Sequence, residues 1–295
     1  MFALALVWMV ERFCHKQTRG FTLLKIASDS AMLATDEIDF WSPEKRSEID
    51  AILTQSFTFL NSGGQCYAFV SQDGKTILKL FKHHHIRMWN FLNRIPFPRL
   101  FHASIRTLLE KKIHQSPQFF ESCTIAYEHF RERSALIYLH LNKTRHFKKK
   151  LSIIDKLGIT HLIDLDTTDF ALQKRVELSH NKFKDLIQNH DFDTAKACID
   201  SAIALIIERS QKGIVDRDPN MRRNIGFLGT QAVEIDLGSF TRIAPIEDPD
   251  LYQKEVQLRT QKFYRWLSKH EETLAQYLEE KTLSLSNSYP SSKIN

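Results

Sequence analysis

Apolar and polar positions follow two different patterns along this chain of 295 residues. As far as about residue 175, short β-rich runs predominate, whereas from residue 179 the apolar positions mostly recur at helical spacing. Strands are predicted over residues 19–25, three times within 57–82, and over 135–141, 151–157, 161–165 and 168–173. Helices are predicted over residues 43–55, 100–114, 117–133, 181–187, 193–212 and 250–280. This distribution indicates an α+β fold.

A polar loop follows the most regular apolar stripe, which lies in the predicted helix 193–212. Gly213 ends this helix, and residues 232–235 predict a short buried strand that stops at Asp236. The polar loop between them carries Asp216, Arg217, Asp218 and Asn224. A carboxylate at a strand end, beside a glycine, is well placed to hold a metal ion at the edge of a cleft. The Asp and Asn residues upstream could supply a base and a second metal ligand.

Residues 57–82 predict three consecutive antiparallel strands. Gly63 and Gly64 form the first turn, and Asp73-Gly74 is a hairpin turn signal between the second and third strands. Lys79 lies at the centre of the third strand, between apolar residues. An unpaired ammonium group is costly to bury, so Lys79 needs an anionic partner.

These two stretches resemble the motifs of protein kinases, and they occur in the same order along the chain as in that family. Arg217-Asp218 and Asn224 are similar to the Arg-Asp pair and the Asn of the kinase catalytic loop. Asp236-Leu237-Gly238 is similar to the Asp-Phe-Gly metal motif. The predicted hairpin with Lys79 looks like the strands that cover the nucleotide in kinases.

The resemblance covers roughly residues 57–240 and implies a kinase-like two-lobe fold. A β-rich N-lobe with helices would occupy residues 19–175, and a reduced helical C-lobe would occupy residues 176–283. No Ala-Pro-Glu motif follows Gly238, and little chain remains there. The chain is therefore nearer to compact bacterial-type kinase-like proteins, such as lipopolysaccharide-core and small-molecule kinases, than to a standard Ser/Thr kinase.

The resemblance implies that ATP and Mg²⁺ are used to phosphorylate a hydroxyl group. In such a phosphotransferase, Asp218 would orient or deprotonate the acceptor hydroxyl, and Asn224 and Asp236 would hold Mg²⁺. The acceptor, which the sequence does not identify, could be a small molecule, a lipid-linked sugar or a protein.

The resemblance also implies residues that bind the nucleotide. Gly63 and Gly64 would cover the phosphates, and Lys79 would hold them. Glu128, in the predicted helix 117–133, would fix Lys79, with Glu121 as the alternative. Gln173, in the segment Leu172-Gln173-Lys174, would lie at the hinge, where backbone groups take the adenine edge.

Several positions depart from the kinase pattern. Asp216 stands where a His usually precedes Arg-Asp, and Asn224 lies six residues after Asp218 instead of five. Only two glycines are present in the first turn, where the family has three. Asp216 could replace Asp218 if the loop register differs. These departures leave an inactive pseudokinase, used as a binding or scaffold module, as an alternative.

The net charge of +6 suits an anionic partner, such as a nucleotide or an acidic membrane surface. The basic and aromatic stretch 83–99 is typical of a connector or insertion rather than a nucleic-acid surface, so we do not expect nucleic acid as a partner. The four cysteines are widely scattered, which disfavours a disulfide framework or a zinc site. A basic α+β protein that binds a membrane or nucleic acid, without nucleotide, is the remaining alternative.

The first ten residues are apolar, and basic residues follow them. Two interpretations fit residues 1–18: the stub of a membrane anchor, or a hydrophobic element that docks on the domain. A bilayer span needs about 20 apolar residues. We expect a cytoplasmic protein, which this segment could attach to the membrane. Residues 284–295 contain Ser and Pro and are predicted to be a disordered tail.

Overall fold

The computed structural model describes residues 2–28, 42–84, 87–88, 91, 118–141, 143–218, 220–246 and 248–285. The described residues as far as Phe120, together with Leu136–Arg175, form a first compact unit. Glu121–Ala135 and the described residues from Val176 onward form a second unit. Strands and helices occur in both units, so the α+β prediction is confirmed.

The first unit is built mainly from β-strands. Its described helices are α1 (Phe2–Thr18), α2 (Leu23–Ile26) and α3 (Pro43–Ile52). Its strands are β1 (Phe57–Ser62), β2 (Cys66–Ser71), β3 (Thr76–Phe81), β4 (Leu136–His140), β5 (Lys150–Ile154), β6 (Thr160–Asp164) and β7 (Phe170–Lys174). The predicted strands from residue 57 onward and the predicted helix at 43–55 are confirmed.

These seven strands form one sheet in the order β4-β7-β3-β2-β1-β5-β6. Neighbouring strands are antiparallel except β1 and β5, which are parallel. Asp73-Gly74 makes the predicted turn, in which Gly74 adopts a φ of 71° and donates its N–H to Ser71 O at 2.9 Å. Glycine suits this turn because a positive φ is strained for other residues.

The two faces of the β2–β3 hairpin differ in burial. Tyr67, Phe69, Leu78 and Leu80 are fully buried on one face and form the centre of the core of this unit. The alternate positions Ala68, Val70, Ile77 and Lys79 are only half-buried. The period of two along each strand therefore gives this unit one closed apolar face and one half-open face.

The prediction of a strand at 19–25 was wrong. Arg19 and Gly20 have φ angles of 52° and 73°, which turn the chain after α1, and the short helix α2 follows. Phe21 is buried, with its ring 5.2 Å from Tyr67, centroid to centroid. Gly20 O accepts from Tyr67 Oη at 2.6 Å and from Lys25 Nζ at 2.8 Å. Side chains therefore hold this turn in place, whereas a strand would be held by main-chain hydrogen bonds to its neighbours.

The second unit is mainly helical. Helix α4 (residues 118–129) begins in the first unit and continues into the second. The other helices are α5 (Ser179–Gln188), α6 (Phe192–Gln211), α7 (Met221–Asn224), α8 (Pro249–His270) and α9 (Glu272–Ser284). The strands are β8 (Glu177–Leu178), β9 (Ile214–Asp216), β10 (Ile225–Leu228), β11 (Gln231–Glu234) and β12 (Phe240–Arg242).

Helix α6 is the central helix of the second unit, as its apolar stripe predicted. Ala195, Ile199, Ala202 and Ile206 are all buried. Gly213 follows the helix with a φ of 65°, and a Cβ at this position would lie 2.4 Å from Ile243 O. Glycine is therefore required here both by the backbone conformation and by the packing.

The predicted single helix 250–280 is two helices. Glu271 interrupts it with an extended backbone (φ −159°), and its side chain accepts from Thr273 N at 3.3 Å to start α9. Both helices bury their apolar sides, so the apolar pattern continues through the break. For this reason the pattern predicted one helix instead of two.

Some predictions lie outside the described residues: the helix at 100–114, most of the connector at 83–99, and the tail from residue 286. In the described stretches of the chain, no helix is both long enough and apolar enough to cross a membrane.

Candidate active site

Two strand pairs place the candidate loops of the second unit side by side. Strand β9 pairs with β12, with Asp216 opposite Phe240, and β10 pairs with β11, with Ile225 opposite Glu234. The polar loop 217–224 runs from β9 to β10, and the loop 235–239 runs from β11 to β12. Both loops therefore bridge the same two strand pairs. Ile235 N–H donates to Asn224 O at 2.7 Å, which joins the two loops directly.

Asp218 and Asn224 are linked within the first loop. Asn224 Nδ2 donates to Asp218 O at 2.9 Å, and Asn220 N–H donates to the same carbonyl at 2.7 Å. The Asn224 side chain is buried, whereas Asp218 is exposed. The one-turn helix α7 ends at Asn224 and takes up part of the six-residue spacing. The longer loop is thus compatible with a direct bond between these two residues.

Asp236 begins the second loop on an exposed position directly after Ile235. Its Oδ1 accepts from Gly238 N at 3.0 Å, in a local turn. Ser122 of α4 fixes the rest of this loop: its hydroxyl donates to Leu237 O at 2.6 Å and accepts from Phe240 N at 2.6 Å. Leu237 and Ser122 are buried. The main chain around Asp236 is therefore anchored, while its carboxylate stays accessible.

Asp216 is a structural group beneath the first loop. Its carboxylate accepts from Ser239 Oγ and, at 2.9 Å, from Asp218 N. Its backbone carbonyl accepts from Arg259. Burial raises the pKa of Asp216, although the hydrogen bond from Ser239 and the charge of Arg209 oppose this rise. The Asp216 carboxylate is buried and already bonded to the loop, so it is less accessible to a second molecule than that of Asp218.

Five charged side chains form what we call the buried ion cluster: Arg209, Asp216, Glu234, Glu255 and Arg259. Arg209 Nη1 bonds Glu234 and lies 3.9 Å from Asp216 Oδ2, and Arg259 Nε bonds Glu255 Oε1 at 2.7 Å. Among the described residues, Arg209 Nε and Nη2 have no hydrogen-bond partner, although Glu255 Oε1 lies 3.9 Å from Nη2. The cluster joins α6, β9, β11 and α8.

Four members of the buried ion cluster line a small cavity under the first loop: Arg209, Asp216, Glu234 and Arg259. The cavity has a volume of about 10 Å³, and Asn220, Met221 and Asn224 also line it. Burial raises the pKa of Glu234 to about 7, even though Arg209 lowers it, and the neighbouring carboxylates Asp216 and Asp236 raise it further. With three carboxylates and two guanidinium groups in the cluster, one carboxylate lacks a counter-charge, which agrees with this direction.

Asn224 and Asp236 carry side-chain oxygens, which are the type of ligand that Mg²⁺ prefers. The Asn224 amide nitrogen is bonded to Asp218 O, which leaves its oxygen for a cation. Asp236 uses one carboxylate oxygen in its turn and keeps the other. Mg²⁺ is commonly held by one or two protein oxygens together with phosphates and waters. In the described part of the chain, no group of three or more His, Cys, Asp or Glu residues could hold a metal ion by itself.

In the first unit, Lys79 lies on the half-open face of the sheet. Its neighbours across the strands are Ala68 on β2 and Ala171 on β7, and both of these side chains are small. Side chains opposite each other in neighbouring strands share one face, so Ala68, Lys79 and Ala171 lie in a row. Lys79 is thus flanked by two small apolar side chains, of which Ala171 is fully buried.

Gly63 and Gly64 form the turn before β2. Gly63 N–H donates to Cys66 O at 2.9 Å and closes the turn. Neither glycine has a positive φ, and a Cβ at Gly64 would meet no atom within 4 Å. Glycine is thus required here neither by the backbone conformation nor by packing within the chain. Lys82 holds the turn through bonds to Ser62 Oγ and Gly63 O, and burial lowers the pKa of Lys82.

Gln173, the predicted hinge residue, lies in a strand, and Glu128, the predicted partner of Lys79, lies in a helix. Gln173 is buried inside β7, between Ile77 of β3 and Leu136 of β4. Glu128 is exposed on α4, 3.5 Å from His129, and Glu121 is exposed on the same helix. Lys79 belongs to the first unit and both glutamates belong to the second. The adenine contact and the Lys79–Glu pairing remain predictions.

Sequence reasoning missed four structural residues: Lys82, Ser122, Arg209 and Glu234. Arg209 follows Ile206 at helical spacing in the apolar stripe of α6, and Glu234 lies inside the apolar run of β11. Two opposite charges embedded in apolar patterns are the signal that could have indicated a buried ion pair. The roles of Ser122 and Lys82 depend on contacts with residues distant in sequence, which a local sequence pattern does not predict.

Comparison with known proteins returned no matching protein family and no curated protein of similar sequence. Among solved structures, the bifunctional kinase-methyltransferase WbdD is similar at 10% identity and a TM-score of 0.33, over 78% of this chain and 44% of WbdD. Rv3197 of Mycobacterium tuberculosis, solved in complex with erythromycin, is similar at 11% identity and a TM-score of 0.34, over 77% of this chain and 59% of Rv3197. The chain thus covers less than two thirds of either structure. TM-scores this low carry no weight for the function.

Proposed function

We propose that this chain is a kinase-like phosphotransferase that uses Mg²⁺ and ATP to phosphorylate a hydroxyl group. The observation that supports this most is the joining of the two loops of the second unit. There Asn224 is bonded to Asp218, and Asp236 follows the residue that bonds Asn224. A base and two metal-ligating oxygens on adjacent loops are the groups that phosphoryl transfer requires.

Each polar group has a distinct role in this proposal. Asp218, exposed on the first loop, accepts the proton of the acceptor hydroxyl. The side-chain oxygens of Asn224 and Asp236 bind Mg²⁺, which when bound neutralises charge on the phosphate oxygens. Asp216, bonded to Asp218 N and to Ser239, keeps the two loops in register.

The nucleotide-binding groups lie in the first unit. Lys79 holds the phosphates, and the small side chains Ala68 and Ala171 lie beside it on the neighbouring strands. The absence of any steric need for glycine at Gly64 is consistent with close approach of a phosphate group to this turn. Glu128 fixes Lys79, and the segment around Gln173 contacts the adenine. The acceptor is an alcohol, borne by a small molecule, a lipid-linked sugar or a protein.

A thermal-shift titration with ATP, with and without Mg²⁺, tests the proposal. A ligand that binds only the folded state raises its melting temperature, and at 100 times Kd the gain is about 2.7 kcal/mol. We expect a Mg²⁺-dependent rise that Asp236→Ala abolishes. Asp50→Ala, which removes an exposed carboxylate on α3, is the matched control and keeps the rise.

The missing third glycine and the replacement of His by Asp216 favour a second candidate, a pseudokinase that binds nucleotide without turnover. A rise in melting temperature that is indifferent to Mg²⁺ and to Asp236→Ala supports this candidate and contradicts phosphotransfer. If millimolar ATP produces no rise in a folded sample, neither candidate stands.

A further inference from the structure

Helix α1 presents a stripe of large apolar side chains to solvent. Leu6, Met9, Val10 and Phe13 recur at the spacing of one helical face, and each is between 54% and 63% exposed. Single exposed apolar residues are common on proteins, but a continuous stripe of four marks a surface that binds something apolar.

A second apolar element, distant in sequence, lies in the same unit. Leu157 and Ile159 form the tip of the β5–β6 hairpin and are 53% and 52% exposed. The tip is held firmly: Asp155 Oδ1 accepts from Leu157 N at 2.8 Å and from Ile159 N at 3.0 Å, while His161 Nε2 lies 2.8 Å from Asp155 Oδ2. Hydrogen bonds therefore fix the main chain of this turn, which carries the two exposed side chains.

The hairpin tip and α1 are neighbours. Lys156 directly precedes Leu157 in the hairpin tip. Its Nζ donates to Lys16 O, near the end of α1, at 3.4 Å. Phe21, which follows α1, packs against His161 at the start of β6, with the ring centroids 5.7 Å apart. We call the stripe of α1 together with Leu157 and Ile159 the apolar–basic face.

Cations accompany these apolar residues. Arg12, Lys16, Arg19 and Lys156 are all exposed. The guanidinium of Arg12 lies 4.9 Å from the ring centroid of Trp8, which is itself 58% exposed. Amphipathic helices that lie in a bilayer interface combine apolar residues with Trp and Lys or Arg, and each cation near an anionic lipid surface contributes about 1 kcal/mol.

We propose that the apolar–basic face binds the surface of a bilayer that contains anionic lipids, with α1 in the interface and the hairpin tip beside it. The apolar side chains enter the acyl boundary, and the four cations contact the lipid phosphates. This proposal concerns the first unit alone and does not rest on the phosphotransferase function.

Vesicle sedimentation of the full chain tests the proposal. The vesicles are pure phosphatidylcholine, or phosphatidylcholine with 30% phosphatidylglycerol. We expect at least about tenfold tighter binding to the anionic vesicles at low salt, which high salt weakens.

Two charge-introducing variants separate the two elements of the face. Phe13→Glu in α1 and Ile159→Glu in the hairpin each weaken binding to anionic vesicles by about tenfold or more, because a carboxylate opposes both the apolar contact and the lipid charge. Leu258→Glu, at a 56% exposed leucine of α8 in the second unit, is the matched control and leaves binding unchanged. Unaltered melting temperatures establish that all three variants fold.

Three results would overturn the proposal. One is equal binding, or none, to the two kinds of vesicle. Another is normal vesicle binding by the folded Ile159→Glu variant, which removes the hairpin from the face. The third is self-association of the wild type that Phe13→Glu abolishes, without vesicle binding, because a second copy of the chain would then cover the face.

Discussion

The glycine hairpin of the first unit and the paired loops of the second unit are each stabilised by a different kind of interaction. The hairpin around Gly63 and Gly64 depends mainly on main-chain bonds along β1, β2 and β3. The loops that carry Asp218 and Asp236 depend on side chains: Ser122, Asn224 and the buried ion cluster. Main-chain ladders tolerate changes of side chain, whereas buried charges do not. We therefore expect side-chain substitutions to lower the free energy of unfolding much more in the paired loops than in the glycine hairpin.

The largest effect should come from Arg209, whose guanidinium faces Glu234, Asp216 and Glu255. Arg209→Ala leaves buried carboxylates without a counter-charge and should lower the free energy of unfolding by about 3–5 kcal/mol. Urea denaturation measures this loss. Arg133→Ala, which removes a more exposed partner of Glu208, is the control and should cost less than about 1 kcal/mol. Equal losses in the two variants would mean that the buried ion cluster does not hold this unit together.

The stability of the second unit should also depend on pH, because Glu234 titrates. The folded protein keeps the proton on Glu234 up to a pKa of about 7, whereas its ordinary value is 4.5. Stability from this group is therefore complete below about pH 4.5 and is lost as the pH rises through 7, by an amount on the order of 3 kcal/mol.

Glu234→Gln keeps a hydrogen-bond acceptor for Arg209 but cannot titrate. It should flatten the decline in melting temperature between pH 5 and 7 relative to the wild type. The same slope in both proteins would place the titrating proton on another group.

A smaller loss should follow from Ser122→Ala. The hydroxyl serves both Leu237 O and Phe240 N, so its removal leaves two buried main-chain groups without this partner. We expect a loss of about 1–3 kcal/mol by urea denaturation, accompanied by weaker Mg²⁺-dependent ATP binding. Ser268→Ala removes an exposed hydroxyl of α8 that bonds only within its helix, and it should change neither quantity. A neutral Ser122→Ala variant would show that α4 does not anchor the Asp236 loop.

The smallest effect on stability should occur at Gly64. A Cβ there meets no atom within 4 Å and φ is not positive, so Gly64→Ala should change stability by less than about 0.5 kcal/mol. ATP binding should nevertheless weaken, because the methyl group occupies space that we assign to phosphate. Gly213→Ala is the contrasting control, since its Cβ would lie 2.4 Å from Ile243 O and should destabilise strongly. Unchanged ATP affinity in Gly64→Ala would remove this turn from the nucleotide site.

Local patterns predicted the hairpin at 57–82 well, because strand alternation and the Asp73-Gly74 turn act between neighbours in sequence. They failed at 19–25, where the left-handed pair Arg19-Gly20 redirects the chain, and at Glu271, where the apolar pattern runs through a helix break. The kinase resemblance singled out Asp218 and Asp236 from the sequence, and their roles stay predictions. The pairing of β9 with β12, which brings their loops together, is a long-range contact and could not.

A Mn²⁺ titration in the presence of a non-hydrolysable ATP analogue tests the central claim most directly. The paramagnetic ion replaces Mg²⁺ and is detected by electron paramagnetic resonance. We predict nucleotide-dependent Mn²⁺ binding that Asp236→Ala and Asn224→Ala each weaken by at least about tenfold, while Asp50→Ala leaves it unchanged. Equal Mn²⁺ affinity in the wild type and in all three variants would contradict the assignment of the two loops as a metal-dependent phosphoryl-transfer site.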